Sequence, residues 1–169
     1  MFELRRLERA DAQAYRRIRL AGLLDAPKAF GATYETEAAL GLDVFEERLE
    51  RFVVFGVWAG GGLAGTVFLM RQTRPTEAHK AIVGGFYVDP AWRRQGVATH
   101  LMTAVIEAAR DEVEQLLLSV TMGNAAALRL YERFGFVTYG VEPRARRDMD
   151  GYSDNVLMVL RLDTPPPRS

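Results

Sequence analysis

Apolar residues divide the chain into short alternating segments and longer ones of helical period. Phe2, Leu4 and Leu7 suggest an opening strand with alternate faces. Asp11 reads as the N-cap of a helix whose apolar positions are Ala14, Ile18, Leu20, Ala21 and Leu24. Asp25-Ala26-Pro27 ends it, because proline cannot continue a helix. Lys28 to Glu37 mixes aromatic, small and acidic residues and reads as a loop, followed by a second helix through Phe45 to Arg51. Two β-rich runs, Phe52 to Ala59 and Gly65 to Arg71, flank Gly60-Gly61-Gly62 and predict an antiparallel hairpin. After a polar loop from Thr73 to His79, Lys80 to Val88 reads as a strand carrying Gly84-Gly85. Val97, Leu101, Ala104, Val105 and Ala108 then line one face of a helix that runs to Arg110. Gln115 to Thr121 is almost continuously apolar, the pattern of a buried parallel strand. Asn124 opens a helix over Ala125 to Phe134, which Gly135 closes as its C′ residue. A strand over Phe136 to Val141, a polar and basic stretch over Glu142 to Asp154 and a final strand over Asn155 to Leu162 complete the pattern.

The order β-α-α-β-β-β-α-β-α-β-β predicts an α/β (α+β) protein, with a hairpin meander before two β-α steps in one mixed sheet. No repeat or linker interrupts it. One domain over residues 1–162 is expected, with a Pro-rich tail over 163–169 that is expected to fray.

Composition narrows the function. Lys plus Arg and Asp plus Glu both number 22, so the net charge is zero, which argues against nucleic acid as the partner. The absence of cysteine excludes disulfides, thiolate metal sites and a thiol nucleophile. His79 and His100 are the only histidines, so no metal site is expected. No apolar run is long enough to span a membrane and no apolar leader opens the chain, so the default expectation is cytoplasmic.

The chemistry concentrates in Tyr87-Val88-Asp89-Pro90-Ala91-Trp92-Arg93-Arg94-Gln95-Gly96-Val97-Ala98-Thr99. A strand that feeds a helix through this loop leaves backbone N–H groups free at the positive end of the helix dipole, which suits an anion. Gly96 and Ala98 let such an anion approach the backbone. The same residues also suit an ordinary strand–helix connection with solvated arginines.

Arg93-x-x-Gly96-x-Ala98 resembles the Arg/Gln-x-x-Gly-x-Gly/Ala signature of the GCN5-related N-acetyltransferases (GNAT). Asn124-x-x-Ala127-x-x-x-Tyr131-x-x-x-Gly135-Phe136 resembles that family's second motif, and the element order resembles its fold over Phe2 to Leu162. The resemblance implies a mixed sheet of about seven strands with about four helices, splayed between the fourth and fifth strands. It implies acetyl-CoA as cosubstrate and no metal. The CoA pyrophosphate would lie on the N–H groups of Arg94, Gln95, Gly96, Val97, Ala98 and Thr99, with charge added by Arg93 and Arg94. The pantetheine arm would pair with the strand edge at Phe86 and Val88. Asn124 and Ala127 would face the cofactor, and Tyr131 would be the catalytic acid toward the thioester sulfur. Gly84-Gly85 would supply the bulge that opens the strand pair.

The implied reaction moves an acetyl group to a primary amine of a small molecule, peptide N-terminus or lysine, by direct attack in a ternary complex. The Val88 N–H would take the oxyanion. A non-catalytic CoA-binding regulatory module on the same fold is the alternative. Several relatives carry a glutamate base on the central strand, where this chain reads Ile82-Val83-Gly84-Gly85-Phe86-Tyr87. Glu35, Glu37 or Asp154 acting through water, or bulk solvent, are the remaining bases. Phe30 to Glu37 and Arg144 to Asp154 are expected to wall the acceptor site, with Arg146-Arg147 suited to a substrate carboxylate. A homodimer is compatible with the resemblance.

Overall fold

The computed structural model describes residues 1–163, so the Pro-rich tail expected to fray lies outside the described residues beyond Asp163. Seven strands form one sheet: β1 (Glu3–Arg6), β2 (Val53–Ala59), β3 (Gly62–Arg71), β4 (Lys80–Val88), β5 (Gln115–Thr121), β6 (Val137–Asp148) and β7 (Gly151–Arg161). Five α-helices accompany them: α1 (Ala12–Asp25), α2 (Tyr34–Ala38), α3 (Leu42–Arg51), α4 (Val97–Ala109) and α5 (Ala125–Arg133). The sheet order is β1-β2-β3-β4-β5-β7-β6, a mixed sheet as the element order predicts. By internal packing the chain falls into two units, Met1–Met70 with Val83–Glu107, and Arg71–Ile82 with the chain from Ala108 onward.

In the first unit β1 pairs with β2 and β2 with β3, all antiparallel. Gly60 and Gly61 make the β2–β3 reversal at φ 57° and 82°, where a side chain is disfavoured. The core gathers Leu7, Tyr15, Ile18, Leu23, Phe45, Leu49, Val54 and Tyr87. The buried face of α1 is rotated from the expected one: Ala12, Tyr15, Ile18, Gly22 and Leu23 point inward and Leu24 is 64% exposed. Gly22 sets that phase, because a Cβ there would lie 3.1 Å from the Tyr87 ring and 3.2 Å from Phe30. The stretch expected as a loop ends in a short helix, α2, ahead of the expected helix, α3. Thr33 caps α2 by accepting from the Thr36 N–H, and Gly41, extended at φ −70° and ψ 163°, starts α3 afresh.

In the second unit the β4–β5 ladder is parallel and joins Lys80–Ile82 to Gln115–Leu117. β5 pairs antiparallel with β7 over its whole length. The polar and basic stretch after Val141 is mostly strand: β6 and β7 form one long hairpin that turns between Asp148 and Gly151. A register shift between Glu142 and Arg146 interrupts the ladder, with Arg144 at φ 49° and its N–H donated to Asp154 Oδ1 at 2.8 Å. No helix among the described residues is long and apolar enough to cross a membrane.

Candidate functional site

The loop between β4 and α4 is fixed at both ends. Asp89 donates its N–H to the Ala64 carbonyl at 2.9 Å, and its carboxylate accepts from the Ala91 N–H at 2.8 Å. Pro90 begins a single 3-10 turn over Pro90–Trp92, a position where its missing N–H costs nothing. Trp92 packs edge-on to Phe2 and lies 2.9 Å from where a Cβ on Gly60 would sit. Arg94 and Gly96 then take left-handed conformations, φ 59° and 89°.

α4 starts at Val97. The first hydrogen bond of its ladder runs from the His100 N–H to the Gly96 carbonyl at 3.1 Å, and the His100 ring donates from Nδ1 to the same oxygen at 2.7 Å. A helix begins with N–H groups that have no acceptor within it, so those of Val97, Ala98 and Thr99 point out of the first turn. Gly96 is exposed, and a Cβ built on it would meet nothing nearer than His100 at 3.7 Å. That donor set fits a diphosphate. Val97 is buried and anchors the turn; Ala98 is half-buried, and Arg94, Gln95 and Thr99 are exposed.

The arginines of this loop differ in role. Arg93 is exposed but bound on the protein side: Nε donates to the Val88 carbonyl at 3.0 Å, Nη2 bonds the Asp25 carboxylate, and the guanidinium lies over the Tyr87 ring. The Tyr87 hydroxyl donates to the same Asp25 carboxylate at 3.3 Å. Burial first, then the Asp25 charge, push the Tyr87 phenol up to about 12. Arg93 therefore ties the end of β4 to the end of α1, and its charge is already met by Asp25. Gln95 is spent locally, donating from Nε2 to the Ala91 carbonyl at 3.1 Å. Sequence reading found Arg93 and missed Asp25, because a contact across 68 residues leaves no periodic trace.

Gly84 and Gly85 have a steric reason. A Cβ on Gly84 would stand 2.4 Å from the Phe68 ring and one on Gly85 2.7 Å, with Gly85 at φ 59°. Phe86 is half-buried and Val88 is buried.

α5 is closed at both ends by its own motif residues. The Asn124 side-chain oxygen accepts from the Ala127 N–H at 3.2 Å. At the other end Phe136 donates to the Tyr131 carbonyl at 3.1 Å and Gly135 to the Glu132 carbonyl at 3.0 Å, with Gly135 at φ 92°. This is a complete Schellman motif. The Tyr131 side chain is buried, its ring 5.9 Å from Phe136, and burial pushes the phenol up to about 12.

The candidate bases separate. Glu37 is buried between two arginines: Arg19 donates Nε and Nη2 at 3.1 and 3.2 Å, and Arg48 donates Nη1 at 3.0 Å. Burial acts to raise its pKa, but the arginine hydrogen bonds outweigh it and hold the carboxyl below its usual range. A carboxylate so held is a poor proton acceptor, so Glu37 is a structural anion. Asp154 holds the Arg144 N–H, and Glu35 is exposed on α2. In the basic hairpin, Arg144 and Arg147 both lie over the Tyr152 ring, and burial pushes the Arg146 guanidinium down from its usual value.

The model of the Acetyltransferase (GNAT) family matches residues 11–136. With that match the fold and both motifs agree, and the chain belongs to this family. It is 34% identical over 82 residues to the L-amino acid N-acetyltransferase of Escherichia coli K12, covering 47% of this chain and 50% of that protein. It is 32% identical over 114 residues to the [ribosomal protein bS18]-alanine N-acetyltransferase of the same strain, covering 67% of this chain and 74% of that one. The chain thus spans half the length of the first relative and about three-quarters of the second. Among solved structures, a Salmonella typhimurium protein carrying its cofactor acetyl-CoA superposes with a TM-score of 0.80 at 20% identity, over 100% of this chain and 98% of that one.

Proposed function

We propose that this protein transfers the acetyl group of acetyl-CoA to the primary amine of an amino acid or a peptide N-terminus, by direct attack in a ternary complex. The observation that carries the proposal is the turn at Gly96: left-handed, exposed, and followed by the first turn of α4, whose opening amides have no acceptor within the helix. The two relatives, one acting on L-amino acids and one on a ribosomal protein alanine, support the acceptor class.

Acetyl-CoA supplies the activated acyl group. The amides of Arg94 to Thr99 hold its pyrophosphate, mostly by backbone geometry, since each charge–dipole contact contributes about 0.3–1 kcal/mol. Of the two arginines only Arg94 is left to add charge there. Phe86 and Val88 take the pantetheine along the strand edge, as an extended peptide is taken by β-augmentation. The Val88 N–H donates to the acyl oxygen as it gains charge. Asn124 and Ala127 face the cofactor from the start of α5, and Tyr131 donates a hydrogen bond to the departing sulfur. With Glu37 held by its arginines, the acceptor loses its proton to water or to an exposed acid such as Glu35.

The test is release of CoA thiol from acetyl-CoA over a panel of amino acids, amines and peptides. Turnover on at least one α-amine is expected. A thermal shift by CoA with no turnover on the panel would instead mark a cofactor-binding module.

A further inference from the structure

The Glu37 cluster carries more positive than negative charge. Two guanidinium groups, Arg19 and Arg48, share one carboxylate, and all three side chains are recessed, with 14%, 26% and 4% exposure. Among the described residues no second carboxylate bonds either arginine. A recessed cationic excess is costly unless an anion meets it. Arg19 is also held rigidly. Two of its nitrogens form a fork on Glu37, and the guanidinium lies over the Phe30 ring, 5.0 Å from its centroid. The remaining nitrogen, Nη1, has no acceptor among the described residues. It lies 3.6 Å from where a Cβ on Gly85 would sit, beside the Phe68 ring, which stands 2.7 Å from the same point. Gly85 is three residues before Val88, on the strand assigned to the acyl oxygen and the pantetheine.

We infer that Arg19 Nη1 receives a carboxylate of the acceptor, so that the preferred substrates are amines bearing a carboxylate, free amino acids before their amides. A guanidinium already fixed by a carboxylate fork and an aromatic face loses little freedom on binding a second anion. Glu37 is a positioning residue in this scheme: it aims Arg19 and does not itself meet substrate. The inference rests on the transferase reading above and assigns it a substrate class.

The experiment measures kcat/KM with acetyl-CoA for L-alanine, L-methionine and L-phenylalanine against their amides. The amide's amine is the less basic, so unassisted reactivity favours the amide. We expect the wild-type protein to favour the acids. The acid-to-amide ratio should fall at least 10-fold in Arg19→Gln and recover in part in Arg19→Lys. The paired variant Arg19→Gln with Glu37→Gln keeps the local charge balance and serves if the single variant melts early; it should show the same lost ratio. A wild-type ratio below one, or a ratio unchanged in variants that remain folded, overturns the inference. Turnover of amides without acids does so too, while leaving the transferase reading in place. Absence of turnover on every acid also overturns it, and a missing thermal shift by CoA then shows that the transferase reading has failed as well.

Discussion

Tyr131 is the residue whose proposed role the structure changes most. Its phenol pKa is pushed up to about 12 by burial, against about 8.5 for a thiol. Full proton transfer to a thiolate would be uphill by roughly 5 kcal/mol, which leaves a hydrogen bond to developing charge as the larger contribution. Tyr131→Phe should lower kcat about 10-fold or more while CoA affinity by calorimetry barely moves. Between pH 7 and 10 the kcat profile of the variant should keep the wild-type shape, because this phenol does not titrate there. Equal losses in kcat and CoA affinity would remove Tyr131 from the chemistry. Gly96 gives the complementary test. An alanine forced to φ 89° costs about 1–2 kcal/mol, and the penalty lies in the backbone because the built Cβ touches only His100. Gly96→Ala should weaken CoA binding about 10-fold; unaltered binding would place the pyrophosphate elsewhere.

At the scale of elements, the second motif proves to be a helix with both termini specified. Asn124 caps α5 with its side-chain oxygen and Gly135-Phe136 closes it through backbone N–H groups, so three of the motif's positions have a structural task in the helix. Tyr131 makes none of these side-chain caps, and it is held by the closure that its own carbonyl helps to make. Gly135→Ala should cost about 1–2 kcal/mol, since C′ sits at φ 92° and a Cβ there would press the Leu160 side chain at 3.3 Å. In a chain of this size that lowers the melting temperature by several degrees. The α1–α2–α3 cluster around Glu37 makes a separate prediction. Its folded pKa lies below the unfolded value, so its stabilisation is present above about pH 4.5 and is lost as pH falls further. Glu37→Ala should cost about 3–5 kcal/mol at pH 7, because two recessed guanidinium groups then lose their carboxylate. Chemical denaturation at pH 7 and pH 4 reads both effects; a small loss at pH 7 would mean that water solvates the arginines.

Across the molecule, what could be read from the sequence was what the backbone repeats locally. β4 and β5 stand where the sequence pattern places them, and the loop into α4 and the cap of α5 follow from glycine and asparagine positions. What could not be read depends on partners far along the chain. The break at Gly41, the rotated face of α1, the ties of Arg93 to Asp25 and of Arg19 to Glu37, and the hairpin hidden in a basic stretch are all of this kind. The same distant packing gives the chain an alkaline limit. Burial pushes the phenols of Tyr15, Tyr87 and Tyr131 above the ordinary value of 10, the last two to about 12. A phenol that keeps its proton longer in the folded state contributes stability that is fully present below pH 10 and lost as pH rises through 12. Tyr131 alone accounts for roughly 3 kcal/mol over that interval. Unfolding free energy from denaturant titrations should therefore hold level from pH 8 to 10 and fall steeply from 10 to 12. In Tyr131→Phe the fall should be shallower by about one tyrosine's share, since phenylalanine has no proton to release. An identical slope in the variant would mean that the Tyr131 hydroxyl already reaches water in the folded protein, and its role as a buried donor to sulfur would have to be given up.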